Sequence, residues 1–447
     1  GTEAEPVVYG AYGDQTLPLP RLSTSLRIDN TGDWQSVGSG IHVWPNSHAS
    51  WTPSGVWEDG NWLKPASSEM LADGDWYYRD GVGVYVRIGS GHPSEHEIYF
   101  AKQYGVLGIQ RSAYLTIRDL AFEYSGAGLG GGVLGIGKTL PAMEIHHVNI
   151  QNCTFQYMTT AIEFRTGYIS GVAYENHDIN ITGNTISDVR YALWLHTDSN
   201  GPERHYNVDI KDNHIKNIAL NGAYLKENAR DVEAITIQNP ENVNISGNYV
   251  HDGLKESDGV VTWVGVELVA VGIIVWRDPV AVVRNVRIEG NRLDNLAGGV
   301  VMGAGPQDAM RNIIVTNNIV TNSEIGLKLN GSDSTNNYSV VYNTLYKNGI
   351  NLSAAPIDGP HIKGNLSVQP GEYHVVAVGV GGTSTIENNG YVPDGPLFTT
   401  INTSNRSLDV VYEDLATWQQ LWAYDLGSIS YDDPGFINMY QSESGDF

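Results

Sequence analysis

The feature that most restricts this chain is a short pattern, V/I-x-I-x-x-N-x-hydrophobic, that returns along its middle. It reads Val148-Asn-Ile-Gln-Asn-Cys-Thr-Phe155, then Ile179-Asn-Ile-Thr-Gly-Asn-Thr-Ile186, then Val208-Asp-Ile-Lys-Asp-Asn-His-Ile215. Further copies are Val243-Asn-Ile-Ser-Gly-Asn-Tyr-Val250 and Val286-Arg-Ile-Glu-Gly-Asn-Arg-Leu293, with weaker ones at 313–320, 340–345 and 362–366. We place the recurrent asparagine at 152, 184, 213, 248, 291, 318, 343 and 365, with spacings of about 22 to about 43 residues, the period of a solenoid coil plus loops. Its short amide suits the left-handed bend between strands, and stacked copies can hydrogen-bond along the axis, so a structural role is expected for it.

Between the copies lies a second apolar strand: 161–165, 192–196, 272–276, 299–302, 326–330 and 349–352. Period-two alternation with β-branched residues means strand, with every other side chain turned inward. The expected fold is therefore all-β, a right-handed parallel β-helix. An open solenoid end exposes apolar rungs and unpaired edges, so caps are required. Residues 1–110 are aromatic-rich and out of register with the repeat, and are expected to form an N-terminal β-rich cap or accessory region. The coils should then run over 111–395. A C-terminal cap over 396–447 should contain a helix, because Leu415, Trp418, Leu421 and Trp422 share one helical side, and Asp432-Asp-Pro-Gly-Phe436 reads as a sealing turn.

Composition narrows the function. The 447 residues carry 26 Lys+Arg against 50 Asp+Glu, a formal charge of −24, which excludes nonspecific nucleic-acid binding and disfavours an anionic membrane surface. No apolar run approaches the ~18 residues of a membrane span. Cys153 is alone, so no internal disulfide or cysteine metal cluster can form. Strong acidity with one cysteine leads us to expect a secreted or periplasmic bacterial protein. Glycine (51), tyrosine (25) and tryptophan (11) are abundant, which fits many turns and a surface that stacks on flat rings.

Together with the repeats, the segments Pro6-Val-Val-Tyr-Gly-Ala-Tyr-Gly13, Gly74-Asp-Trp-Tyr-Tyr78 and Ala113-Tyr-Leu-Thr-Ile-Arg-Asp-Leu-Ala-Phe122 resemble the pectate-lyase-like, right-handed β-helix superfamily of carbohydrate-active enzymes. The resemblance implies a carbohydrate polymer or oligosaccharide as partner, lying across one outer sheet. It does not fix the reaction, because that superfamily contains hydrolases, lyases and epimerases.

Alternation predicts the outward residues on that face: Glu163 and Arg165, then Trp194, His196 and Asp198, then Ile274, Trp276 and Asp278, then Lys328 and Asn330. One coil is ambiguous, since 223–226 would present Tyr224 and Lys226 whereas 234–237 would present Thr236 and Gln238. Insertions at about 217–232 and 251–271 bring Glu227, Arg230, Asp231, Glu233, His251, Asp252, Glu256, Asp258 and Glu267 to the borders of the face.

For hydrolysis two carboxyl groups are needed, one protonated and one ionised. Asp198 and Asp278 occupy similar places on strands separated by one coil, with Asp231 in reserve and His196 as a proton carrier. Trp194 and Trp276 would stack on sugars, and Glu163, Arg165, Tyr224, Lys226, Arg277 and Lys328 would line subsites. No cofactor is required. A uronate lyase or C5-epimerase is the alternative, using these cations to neutralise the substrate acid, with Ca²⁺ held by loop acids. Its signatures are missing: there is no Asp-Pro-His-Asp, and Ser257-Asp-Gly259 does not extend into the polygalacturonase series. A noncatalytic glycan-binding solenoid is the remaining reading. Walker, His-Glu-x-x-His and Gly-x-Ser-x-Gly motifs do not occur.

Overall fold

Inward valines and isoleucines stack coil upon coil and so generate the architecture. In register, Val148, Ile179, Val208, Val243, Val286 and Ile313 form one buried column. Ile150, Ile181, Ile210, Ile245, Ile288 and Val315 form a second. Each such side chain contributes roughly 1.5–3 kcal/mol by leaving water. A computed structural model describes the chain except residues 12–16, 29–31, 46–50, 103–104, 111, 126–131, 137–143, 170–171, 198–202, 222–231, 256–269, 278–280, 304–309, 333–337, 358–359, 379–384, 393–397, 402–407, 413, 423–426 and 431–447.

Among the described residues the coil is walled by a sheet of eleven parallel strands and a second sheet of twenty-three mostly parallel strands. It is an all-β parallel β-helix, as the repeats predict. The chain's beginning closes one end: Val7–Gly10 pairs with Ala113–Arg118, and Arg21–Leu22 pairs with Ala121–Glu123. The intervening residues fold into antiparallel sheets packed around Trp34, Trp44, Trp76 and Phe100. This module docks on one corner of the coil through a file of phenol rings, Tyr99 on Tyr124 at 3.7 Å and Tyr124 on Tyr157 at 4.9 Å, with Trp57 against them. Burial drives all three phenol pKa values upward, so these rings stay neutral. At the other end a helix, Leu415–Trp422, drops Leu415 and Trp418 into the core. Asp414 begins it by accepting from the Thr417 amide at 2.6 Å, which holds the carboxyl below its usual range. The turn expected at 432–436 lies outside the described residues.

The repeated asparagine divides its two expected tasks with its neighbour. The left-handed bend is taken by the residue before it: Asn152, Gly183, Asp212, Gly247, Gly290, Asn317, Tyr342, Gly364 and Asn388 all have positive φ. The ladder proper is Asn184, Asn213, Asn248, Asn291, Asn318, Asn343, Asn365 and Asn389, all buried. Each side-chain amide donates to the next Oδ1 at 2.9–3.1 Å. The ladder starts at Cys153, whose backbone N–H donates to Asn184 Oδ1 at 3.0 Å, and ends where the Asn389 backbone N–H donates to Ser428 Oγ at 2.7 Å. The assignment of Asn152 to the ladder is therefore corrected: Asn152 is a bend residue, and Cys153 is the ladder's first rung.

Candidate functional site

Five neighbouring strands of the large sheet carry the expected face: Thr154–Ile169, Thr185–Thr197, Glu233–Gln238, Val271–Trp276 and Gly298–Met302. Their inward residues Ile162, Phe164, Leu193, Leu195, Ile235, Ile237, Ile273 and Val275 are fully buried in the core, so alternation turns the intervening residues outward, as predicted. Register then builds two outer columns. One runs Glu163, Trp194, Thr236, Ile274, Val301, Lys328. The other sets Arg165 beside His196 and Gln238 beside Trp276. The ambiguous coil is thereby resolved: Thr236 and Gln238 occupy the strand, and Tyr224 and Lys226 lie outside the described residues. So do Asp198, Asp231 and Asp278.

Three of the expected residues converge. Glu163 is outward by alternation yet 0% exposed, and its Oε1 accepts from both Arg165 Nε and His196 Nε2, the latter at 3.0 Å. A carboxylate oxygen only accepts, so Nε2 is the protonated nitrogen of that imidazole bond. Glu163 Oε2 and Arg165 Nη2 make no hydrogen bond among the described residues. The His196 ring stacks on Trp194 at 4.0 Å, and Trp194 stacks on Tyr191 at 4.8 Å, so the Trp194 indole belongs to a ring stack within its own strand. Sequence reasoning passed over Tyr191. Its signal was weak because the strand bends at Asp188, where φ is positive, and simple alternation restarts there.

His205 was also missed. It is wholly buried, and its Nε2 donates to the His196 carbonyl at 3.2 Å, tying down the strand that carries His196. Burial pulls its pKa down to about 3, so the ring is neutral when folded. Below the unfolded value of ~6.5 the unfolded chain binds the extra proton, and stability falls by ~1.4 kcal/mol per pH unit until the folded ring titrates. Denaturant unfolding at pH 7 and pH 5 is expected to show ~2 kcal/mol more loss in the wild type than in His205→Asn. Asparagine already fills the adjacent rung as buried Asn176. Equal losses in the two proteins would contradict this.

Trp276 stands apart, 36% exposed at the end of its strand. Its indole lies directly over Gly303, where a Cβ would sit 2.3 Å from Cε3. The absent side chain makes room for a flat aromatic platform, a role invisible in sequence because a glycine after Val301-Met302 reads only as a strand end. Behind it Val271, Ile274 and Val301 form a small apolar cluster of their own, buried although Ile274 and Val301 are outward-facing. Arg277 differs from the expected subsite cation: it is buried, and its Nη1 donates to the Ala281 carbonyl at 2.7 Å. Lys328 is partly exposed, four strands from Trp194 along the first column. Glu233 accepts from Thr236 Oγ1 at 3.0 Å.

These observations define the class: a parallel β-helix with an aromatic and charged strip on one outer face. A family model described as a right-handed β-helix region matches residues 170–390. No curated protein matches the sequence. Among solved structures, XylC in complex with xylose is similar at 12% identity and a TM-score of 0.51, over 95% of this chain and 77% of that one. A structure described as a glycoside hydrolase is similar at 11% identity and a TM-score of 0.52, over 96% and 84%. A tailspike protein of E. coli bacteriophage HK620 gives 14% identity and a TM-score of 0.48, over 68% and 55%. At these identities the likeness is one of fold. No helix among the described residues is long and apolar enough to cross a membrane.

Proposed function

We propose that this chain is a carbohydrate-active β-helix protein, specifically a secreted or periplasmic glycoside hydrolase that binds its glycan on this outer face at the exposed Trp276 end of the strands. The observation that carries the reading is the Trp276 platform over Gly303, on the same sheet as the Glu163–Arg165–His196 cluster. An exposed indole on a rigid strand offers its π-face to the apolar face of a sugar ring, and nearby charges can bond to hydroxyls. The solved structures with xylose and with a glycoside-hydrolase description share the fold and are consistent with this. Glu163 is covered, so it acts as a positioning residue that fixes Arg165 and His196. We assign the reacting carboxyls to Asp198 and Asp278, which follow in sequence one residue after Thr197 and two after Trp276, the ends of their strands.

The test is digestion of a glycan panel while reducing ends and the ultraviolet absorbance of unsaturated uronates are both followed. New reducing ends without absorbance are expected, and absorbance would establish elimination instead. Once a substrate is in hand, Trp276→Ala is expected to weaken its binding about 10-fold, or ~1.4 kcal/mol, with little change in unfolding. Gly303→Ala should act in the same direction, because its methyl group displaces the indole. Unchanged affinity in both variants would remove the platform from the site.

A further inference from the structure

On the opposite wall, the eleven-stranded sheet presents donor atoms that the glycan reading leaves unused. One bend of each coil holds a residue with positive φ: His147, Asp178, Asn207, Asn242, Asn285 and Asn312. From the fourth of these onward each amide donates to the previous Oδ1, at 3.2, 2.8 and 2.9 Å, and Asn207 donates to Asp178 Oδ1 at 3.0 Å. Three adjacent coils lack the asparagine, the first with Tyr114 at the bend and the next two with donor side chains. Those two place His147 and Asp178 in the bend, with His146 and His177 in register beside them.

We propose that His147, His177 and Asp178 bind one divalent transition-metal ion of the Zn²⁺ class, with His146 within reach as a further nitrogen donor. His177 Nδ1 is 2.7 Å from Asp178 Oδ2, and His147 Nδ1 is 3.6 Å from the same oxygen. One donor atom from each of the three lies within 4.8 Å of the others. Those two distances bracket the ~3.3 Å edge of a tetrahedron with bonds of ~2.0 Å. His146 Nδ1 lies 2.7 Å from His147 Nδ1.

The surroundings hold the donors in place. His146 and His177 stack in parallel at 4.9 Å, Tyr206 stacks on His177 at 4.5 Å, and Tyr114 on His147 at 4.5 Å. Glu144 Oε2 stands 3.5 Å from His177 Nε2, behind the ring, where a carboxylate fixes the tautomer that turns Nδ1 toward a metal. Asn207 engages Oδ1 of Asp178 and leaves Oδ2 for the ion. Imidazole-rich donors select borderline transition metals over Ca²⁺, which takes six or more oxygens.

Zn²⁺ titrated calorimetrically into the chelator-treated full chain is expected to bind at one saturable site. His147→Asn and Asp178→Asn should each weaken it by at least the roughly 10-fold that loss of a mere outer-sphere partner costs. Both variants place at the bend the residue that the following coils already use there, so the metal-free unfolding midpoint should hold. Ca²⁺ should not displace the bound Zn²⁺. The proposal is overturned if the wild type shows no saturable binding, or if Ca²⁺ competes. It is equally overturned if both variants keep wild-type affinity, which would move the binding to another pair such as His214 and His251, whose Nε2 atoms are 2.8 Å apart.

Discussion

Asp198→Asn and Asp278→Asn are each expected to slow glycan hydrolysis by about 10³-fold while shifting the unfolding midpoint by no more than ~2 °C. Under the proposed reaction, each variant loses one of the two carboxyl groups that would share proton transfer and charge stabilisation at the glycosidic bond, which sets the size. The strands that precede these residues are separated by a single strand, Glu233–Gln238. Two strand spacings come to ~10 Å, at the upper end of the separation that leaves room for a water between the carboxyls, so inversion of the anomeric centre is expected. Both strand ends are braced. The Thr197 amide donates to Gln238 Oε1 at 3.0 Å, and Arg277 clamps the Ala281 carbonyl. Both of these bonds end on neutral acceptors, an amide oxygen and a backbone carbonyl, so stability should survive the change to asparagine. Reducing-end release measured with the identified glycan, alongside thermal unfolding, reads both quantities. Wild-type turnover in both variants would end this assignment.

The second large effect concerns folding. Asn248→Ala is expected to lower the unfolding free energy by roughly 4 kcal/mol. The Asn248 side chain accepts from the Asn213 amide and side chain at 3.0 and 2.9 Å. It donates to the Ile210 carbonyl at 3.0 Å and to Asn291 Oδ1 at 2.9 Å. Truncation strands several buried groups at once, each costing about 1–3 kcal/mol, and the loss is not spread over water because the position is buried. The comparison is Asn242→Gly in the outer file, where glycine keeps the left-handed backbone and solvent replaces the lost bonds. There the change should stay below ~1 kcal/mol. Denaturant titration of the two variants measures the contrast, and comparable losses would show that the inner ladder holds no special share of the stability.

The coils were legible because inward side chains obey period two and each coil repeats the one before, so Ile179, Val208 and Val243 announce the same rung. That arithmetic also gave the outward direction of Glu163, Arg165, Trp194, His196 and Trp276. It did not reveal that Glu163 is covered, or that Arg277 turns back to its own loop, because burial by neighbouring segments leaves no periodic trace. The asparagine was misplaced by one residue in the first coil, where Cys153 stands at the rung and the nearest asparagine, Asn152, is the bend residue before it. His147 and Asp178 escaped notice for a related reason: they sit where later coils have asparagine, and their meeting depends on a bend repeated in two strands thirty-one residues apart in sequence.

The inner ladder has a direction, since each side-chain amide sends one hydrogen to the next Oδ1 on the C-terminal side and the other back to a carbonyl of the preceding coil, while its oxygen accepts from the rung before. Each rung therefore presents its neighbours with the same interface on either side. A whole coil gained or lost by gene duplication or deletion would splice into this file without leaving a mismatched partner, whereas the Cys153 and Ser428 termini admit no such exchange. In the coils that carry no site residue, copy number can thus change without cost to the ladder, while both ends and the spacing of the site strands stay fixed.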